Sequence, residues 1–169
     1  MPIKHQKNIA QILSEFKQFK KQLPIAIGGI GVRFFKDNFR RQGFLDKSLE
    51  PWKKRKDGTT DGILSKSGNL RRSIRTTKVT EDNVTVGTYK KYAHIHNEGG
   101  TITQTPTPKQ RKFFWAKYYA SEKTNEAWKG AALAKQIHIT IPQRKFIGNS
   151  QTLDNEIDDH ILNELNNIL

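Results

Sequence analysis

Residues 63–88 read ILSKSGNLRRSIRTTKVTEDNVTVGT, and this stretch indicates the fold class. Ser67 is placed to cap a short helix over residues 70–75, because a serine side chain accepts a hydrogen bond from an unpaired backbone N–H at a helix start. Two β-branched strings follow, TTKVT and VTVGT, with residues 81–83 between them. That spacing predicts an antiparallel hairpin with a turn of about three residues. A helix beside a hairpin indicates an α+β fold.

Apolar residues at helical spacing precede this stretch. They predict two N-terminal helices, over residues 6–22 and 24–41, with the proline of the second in its first turn. Gly28, Gly29 and Gly31 each lower helix propensity by up to ~1 kcal/mol relative to alanine. We expect these glycines to permit a close approach to a neighbouring helix.

The remaining elements are shorter. Residues 42–66 are rich in Gly, Asp, Lys and Pro and predict a loop. A C-terminal amphipathic helix with Thr152 as its cap ends the chain. Between them we predict a helical turn over 92–96, a strand over 101–104, a helix over 109–128 and a strand over 137–141.

The predicted architecture is therefore α+β, with two N-terminal helices, a small and mainly antiparallel β-sheet with packed helices, and a C-terminal amphipathic helix. A length of 169 residues suits a single domain over residues 1–169. Within it we expect N-terminal helices over 1–41, a core over 42–150 and an acidic helix over 151–169.

The charge of the chain is strongly asymmetric. Its 30 Lys and Arg side chains outnumber 16 Asp and Glu, which gives a formal net charge of +14. Residues 151–169 hold five of the acidic side chains and no Lys or Arg. A basic body favours a polyanion, most simply nucleic acid, and the acidic end suits the basic body of a neighbouring copy. A basic surface that only confers solubility is the plainer alternative.

Several kinds of site are excluded or disfavoured. The chain has no cysteine, which excludes disulfides and thiolate zinc sites. It has no apolar run typical of a signal peptide or of a membrane span of ~20 residues, so no membrane contact is expected. A G-x-S-x-G nucleophile elbow and a phosphate-binding glycine loop are also missing.

Three histidines are weak candidates for chemistry. His94, His96 and His138 suggest a metal cluster, or a metal-dependent nuclease that uses the string HNE at 96–98. Side chains at positions i and i+2 of a short helix diverge, however, and the carboxylates that a nuclease requires are not suitably spaced. We therefore expect no catalytic, metal-binding or cofactor-binding residue, and no enzyme.

Basic clusters are the clearer functional signal. Arg71 and Arg75 are four residues apart and would share one face of a short helix. Such groups contact phosphates without reading a base sequence, whereas a solvated charged surface is the alternative. The candidate DNA-channel or interface residues are Lys53, Lys54, Arg55, Lys56, Arg71, Arg72 and Arg75.

An aromatic set lies on the helix predicted over 109–128. It has three interpretations, as core, as a subunit interface or as a base-stacking platform, and the first two are the commoner outcomes. Its members are Phe113, Phe114, Trp115, Tyr118, Tyr119 and Trp128.

Four stretches in order carry a family resemblance. They are residues 38–40 with 51–56, residues 63–74, residues 86–88 with 92–100, and residues 141–148. They include the strings PWKKRK, LSKSGNLRRSI, VGT, YAHIHNEGG and IPQRKFIG. In order and spacing, over about residues 34–150, the chain resembles the virion morphogenesis, or tail-completion, family of tailed phages.

The resemblance implies a structural subunit of a neck or tail ring, which we expect to be six- or twelve-fold and without catalysis. The implied partners are further copies, connector or portal-side proteins, tail proteins, and genomic DNA held non-specifically in the channel. The implied location is the virion, assembled in the host cytoplasm. The residues expected to keep the fold or an interface are Trp52, Gly68, Leu70, His96, Gly99, Arg144 and Phe146. A stand-alone basic nucleic-acid-binding protein without catalysis is the alternative.

Overall fold

The computed structural model describes residues 7–55 and 62–169. These residues fall into two compact units. The first comprises the described residues up to Asn97 together with Gln143–Leu169, and the second is Glu98–Pro142. Mixed helices and small antiparallel sheets confirm the predicted α+β class.

The first helix, α1, runs without interruption from Ile9 to Arg41. A capping box starts it, because Asn8 accepts from the Gln11 N–H while the Gln11 side chain accepts from the Asn8 N–H. The predicted boundary at Pro24 is wrong, since this proline is buried inside the helix. Proline removes one helical hydrogen bond, but the helix continues across it and packs on α6 and on the strands of the first unit.

The predicted loop over 42–66 contains a short hairpin, which corrects that expectation. Strands β1 (Gly43–Leu45) and β2 (Leu49–Pro51) pair antiparallel. The strands touch so closely at Gly43 that a Cβ there would lie 3.0 Å from the Pro51 Cα. Three-residue strands are too short to show an alternating pattern, which explains why the sequence did not indicate them.

Residues 63–88 contain helix α2 (Asn69–Ser73), strand β3 (Arg75–Val79) and strand β4 (Val84–Gly87). The predicted hairpin is confirmed, with Thr76 opposite Val86 and Val79 opposite Val84. The helix ends at Ser73 rather than Arg75. Its N-cap residue is Gly68, at a left-handed φ of +64°, and not Ser67 as predicted. The Ser67 hydroxyl nevertheless accepts from the N–H of Asn69, the first residue of the helix, at 3.4 Å.

Two further helices complete the first unit. Helix α3 (Ala93–Glu98) confirms the predicted helical turn, and helix α6 (Gln151–Ile168) confirms the C-terminal helix. The cap of α6 is Ser150 and not Thr152, because the Ser150 hydroxyl accepts from the Leu153 N–H at 3.2 Å. Helix α6 packs along α1. The buried core of this unit consists of Phe34, Phe35, Phe39, Phe44, Trp52, Leu70, Ile74, Ala93, Phe146 and Leu153.

The second unit combines one two-stranded sheet with two helices. Strands β5 (Gly100–Gln104) and β6 (Ile137–Ile141) pair antiparallel, as predicted for 101–104 and 137–141. The helix predicted over 109–128 is instead two helices, α4 (Pro108–Ala120) and α5 (Glu126–Leu133). The chain turns between them through Glu122 and Lys123, both at positive φ. No helix in the described ranges has the length and the apolar run required to cross a bilayer.

Gly28 and Gly31 of α1 face the β3–β4 hairpin and not a helix, contrary to expectation. A Cβ at Gly28 would lie 2.9 Å from the Thr76 Oγ1 and 3.0 Å from a Val84 methyl, whereas one at Gly29 would meet nothing within 4 Å. Close approach to the hairpin therefore depends on Gly28, and Gly29 is a matched control on the same helix.

Replacing the two glycines by alanine should shift stability in opposite directions. Gly28→Ala should destabilise the chain, because overpacking of about 1–3 kcal/mol outweighs a helix-propensity gain of about 1 kcal/mol. Gly29→Ala should stabilise it by up to about 1 kcal/mol. Urea unfolding of both variants measures the difference, and equal shifts in the same direction would contradict the packing described.

Candidate functional site

Two other motif stretches, 38–56 and 86–100, are hydrogen-bonded to residues 143–149, a segment without helix or strand. Asn97 holds this segment from the end of α3. Its Oδ1 accepts from the backbone N–H groups of Phe146 (2.9 Å) and Ile147 (3.0 Å), and its Nδ2 donates to the Ile147 carbonyl (3.1 Å). Near the start of the segment, the Arg144 N–H donates to the His96 carbonyl at 2.8 Å. A side-chain amide thus supplies the bonds that a neighbouring strand would otherwise provide.

A second side-chain amide, that of Asn38 in α1, also binds the segment 143–149. Its side chain is fully buried, donates to the Phe146 carbonyl at 3.2 Å and accepts from the Leu45 N–H at 3.3 Å. Sequence reasoning assigned no role to Asn38 or Asn97. The sequence signal was an Asn within each of the motif strings NFR and HNE, in or directly after a segment predicted to be helical. A buried amide side chain at such a position must find hydrogen-bond partners.

Trp52 and Arg144 connect the segment to the first basic run. The Trp52 indole N–H donates to the Lys145 carbonyl at 2.7 Å, and its ring packs edge-on against Phe39. The Arg144 guanidinium donates from Nε and Nη2 to the Lys53 carbonyl, at 3.2 and 3.1 Å. The backbone at Lys53 is therefore held by two contacts, the indole of the preceding Trp52 and the guanidinium of Arg144.

The other motif residues occupy packing or turn positions. Leu70 is 3% exposed and Phe146 is 1% exposed, so both lie in the core. Gly68 and Gly99 adopt positive φ, +64° and +73°, which favours glycine. At Gly68 the Arg72 side chain also lies where a Cβ would project.

Four cationic side chains from α1 and α2 line a concave surface that encloses a volume of about 200 Å³. They are Lys36, Arg40, Arg71 and Arg72. Of these, Arg40 pairs with Asp37 at 2.8 Å, and Arg72 donates to the Ser67 carbonyl at 2.7 Å. Sequence reasoning identified the two α2 arginines but missed the two α1 residues, because they are distant in the chain.

The remaining basic candidates are placed separately. Lys53 and Lys54 are exposed and Arg55 is partly buried, whereas Lys56 lies outside the described residues. Arg75 does not share a helix face with Arg71, which corrects that prediction. It begins β3, where its guanidinium lies 4.2 Å from the centroid of the Tyr89 ring.

A cavity of about 350 Å³ opens beside Arg144. Its lining includes Arg55, Lys66, His96 and Arg144. Arg144 is 9% exposed and makes no ion pair within the described ranges, and burial, followed by the charge of Arg55, lowers its pKa. The His96 Nδ1 is buried without a hydrogen-bond partner among the described residues, and burial, followed by the charge of Arg144, lowers its pKa.

The three histidines show no arrangement for a metal. His94 is exposed, His96 lines the cavity, and the His138 Nδ1 lies 2.9 Å from the Thr103 Oγ1 in the second unit. Across residues 7–55 and 62–169, no three His, Cys, Asp or Glu side chains are grouped so that they would hold a metal ion.

The aromatic set divides between packing and exposure. Phe114 stacks on Trp128 with ring centroids 6.1 Å apart, which joins α4 to α5, and Tyr118 is buried. Phe113 and Tyr119 are 51% and 59% exposed. Part of the set is therefore the core of the second unit.

The pKa shift of His96 makes stability depend on pH. Its folded-state pKa lies below the ordinary value of 6.5, so the unfolded chain binds more protons and stability falls as pH drops through 6.5 towards the lowered pKa. His96→Gln should therefore lose less stability than the wild type between about pH 7.5 and about pH 5. Urea unfolding at both pH values measures this. His94→Gln, on the same helix but exposed, is the control, and a slope unchanged in His96→Gln would contradict the assignment.

Comparison with known proteins identifies the family. No curated protein and no solved structure gives a significant match to this chain. The sequence model of the phage virion morphogenesis family, by contrast, matches residues 40–166, about three quarters of the chain. That range contains α2, the β3–β4 hairpin, α3 and the segment 143–149 that the motif residues hold. The chain belongs to the phage virion morphogenesis family.

Proposed function

We propose that this protein is a tail-completion subunit of a tailed phage, one copy of a neck ring that joins the head connector to the tail around the DNA channel. The family match over residues 40–166 carries this proposal, because that family serves virion morphogenesis. The subunit would act in the virion, after assembly in the host cytoplasm, and without catalysis.

The anchored segment 143–149 supports a structural role. Side chains of Asn38, Trp52 and Asn97, from three separate parts of the chain, are used to hold its backbone. Groups committed to such bonds are not available to activate a substrate. They give a block of fixed shape, which is what a repeated subunit requires to present the same surfaces in every copy.

The basic surfaces support contact with DNA in the channel. Exposed Lys53 and Lys54 follow the anchored Trp52, and Arg71 and Arg72 line the concave surface with two cations of α1. Lysine and arginine side chains contact phosphates without base recognition and release counterions on binding. Such contacts would hold the genome loosely enough for it to slide through the ring.

The charge asymmetry supports assembly into a closed ring, for which we propose six or twelve copies. Helix α6 carries five acidic side chains and no Lys or Arg, while the rest of the chain is strongly basic. A cyclic ring requires contacts between two different surfaces of neighbouring copies, and opposite charges on those surfaces would select the pairing. Connector and tail proteins would bind the two faces of such a ring.

A phage that lacks the protein tests the proposal. When the codon for Lys4 is replaced by a stop codon, DNA-filled heads and separate tails should accumulate in infected cells. Adding the purified chain to that lysate should restore joined particles, counted by electron microscopy. The same addition of heat-denatured protein is the control.

Normally joined particles without the chain would contradict the proposal. If, in addition, the purified chain were a monomer by light scattering and bound DNA with a steep dependence on salt, a stand-alone basic nucleic-acid-binding protein would replace it.

A further inference from the structure

A groove with a basic lining lies between α1 and the end of strand β3. Its volume is about 490 Å³. Three lysines, Lys17, Lys20 and Lys21, line it, and none of them forms an ion pair within the described parts of the chain. Two apolar side chains in the lining, Ile25 and Val79, are 66% and 46% exposed. The groove thus combines positive charge with uncovered apolar surface.

Helix α6 carries a complementary surface. Leu162 lies four positions after Asp158 and three after Asp159, so its side chain neighbours both carboxylates on the helix surface. All three are exposed, Leu162 at 58%, and neither aspartate forms an ion pair in the ranges that the structure describes. Leu162 and the two aspartates together give this face of α6 negative charge beside exposed apolar area.

We propose that the Asp158–Asp159–Leu162 face of α6 in one copy seats in the lysine groove of the next copy. Leu162 would cover Ile25 and Val79, and the two carboxylates would face the lysines. The inference rests on the proposed ring, and it names the contact that closes it. Because the groove and the α6 face are different surfaces of one chain, the contact is head-to-tail, as a cyclic ring requires.

Charge and apolarity together favour this occupant over DNA. A phosphate backbone would satisfy the lysines but would leave Ile25 and Val79 uncovered. An acidic helix with one leucine matches both properties.

Disulfide trapping tests the contact directly, because the natural chain has no cysteine. One protein carries Ile25→Cys and the other Leu162→Cys, and the two are mixed and oxidised, both as purified proteins and when co-produced in assembling particles. The expected result is a linked heterodimer in preference to either homodimer. Since each chain has a single cysteine, a link within one chain is impossible.

Charge reversal supplies the specificity control. Adding Lys20→Glu and Lys21→Glu to the Ile25→Cys protein should slow linking by about tenfold or more. Lys90→Glu and Lys91→Glu, an exposed lysine pair outside the groove, change the net charge equally and should leave the rate unchanged. Asp158→Lys and Asp159→Lys in the partner should restore linking to the reversed groove.

Absence of the heterodimer in both purified protein and particles would overturn the contact, as would equal slowing by the two lysine-pair reversals. These outcomes are separate from those of the stop-codon experiment. A chain required for joining heads to tails but not linked in this way would retain the proposed function without this contact.

Discussion

The fold of the first unit depends on how the irregular segment 143–149 satisfies its backbone. A buried peptide group left without a partner costs about 1–3 kcal/mol. Within residues 7–55 and 62–169, no strand pairs with this segment. Asn97 bonds both Phe146 and Ile147, Asn38 bonds Phe146 from α1, and Trp52 bonds the carbonyl of Lys145. With these bonds made, the Phe146 ring can enter the core against Phe39.

The same anchoring connects fold to function. Arg144 is held at its backbone by His96 and holds the Lys53 carbonyl with its guanidinium, so the exposed lysines that follow project from fixed backbone. The cost is a buried cation and a buried imidazole nitrogen near each other, seen in the lowered pKa values of Arg144 and His96. In the proposed ring subunit, that cost would be offset by the fixed position of the exposed lysines.

Much of the fold was predictable from local pattern. The β-branched strings around residues 81–83 gave the β3–β4 hairpin, and apolar spacing gave α6, because each signal is contained within a few consecutive residues. Expectations failed where distant packing decided the outcome. Pro24 is accommodated within α1, a helix that packs on α6 and on the β3–β4 hairpin despite one lost hydrogen bond. The turn through Glu122 and Lys123 carries no glycine or proline to indicate it. The candidate site was likewise predictable only in part. The basic runs are visible in the sequence, but the proximity of Lys36 and Arg40 to Arg71 and Arg72 arises only from the fold.

The central claim is that the motif residues hold the segment 143–149 as part of the cooperative core. Native-state hydrogen exchange of the Phe146 and Ile147 amides measures this most directly. If the claim is correct, both amides exchange only through global unfolding, with the same free energy as the slowest amides of α1. Exchange of these two amides by local opening, while α1 remains protected, would contradict it.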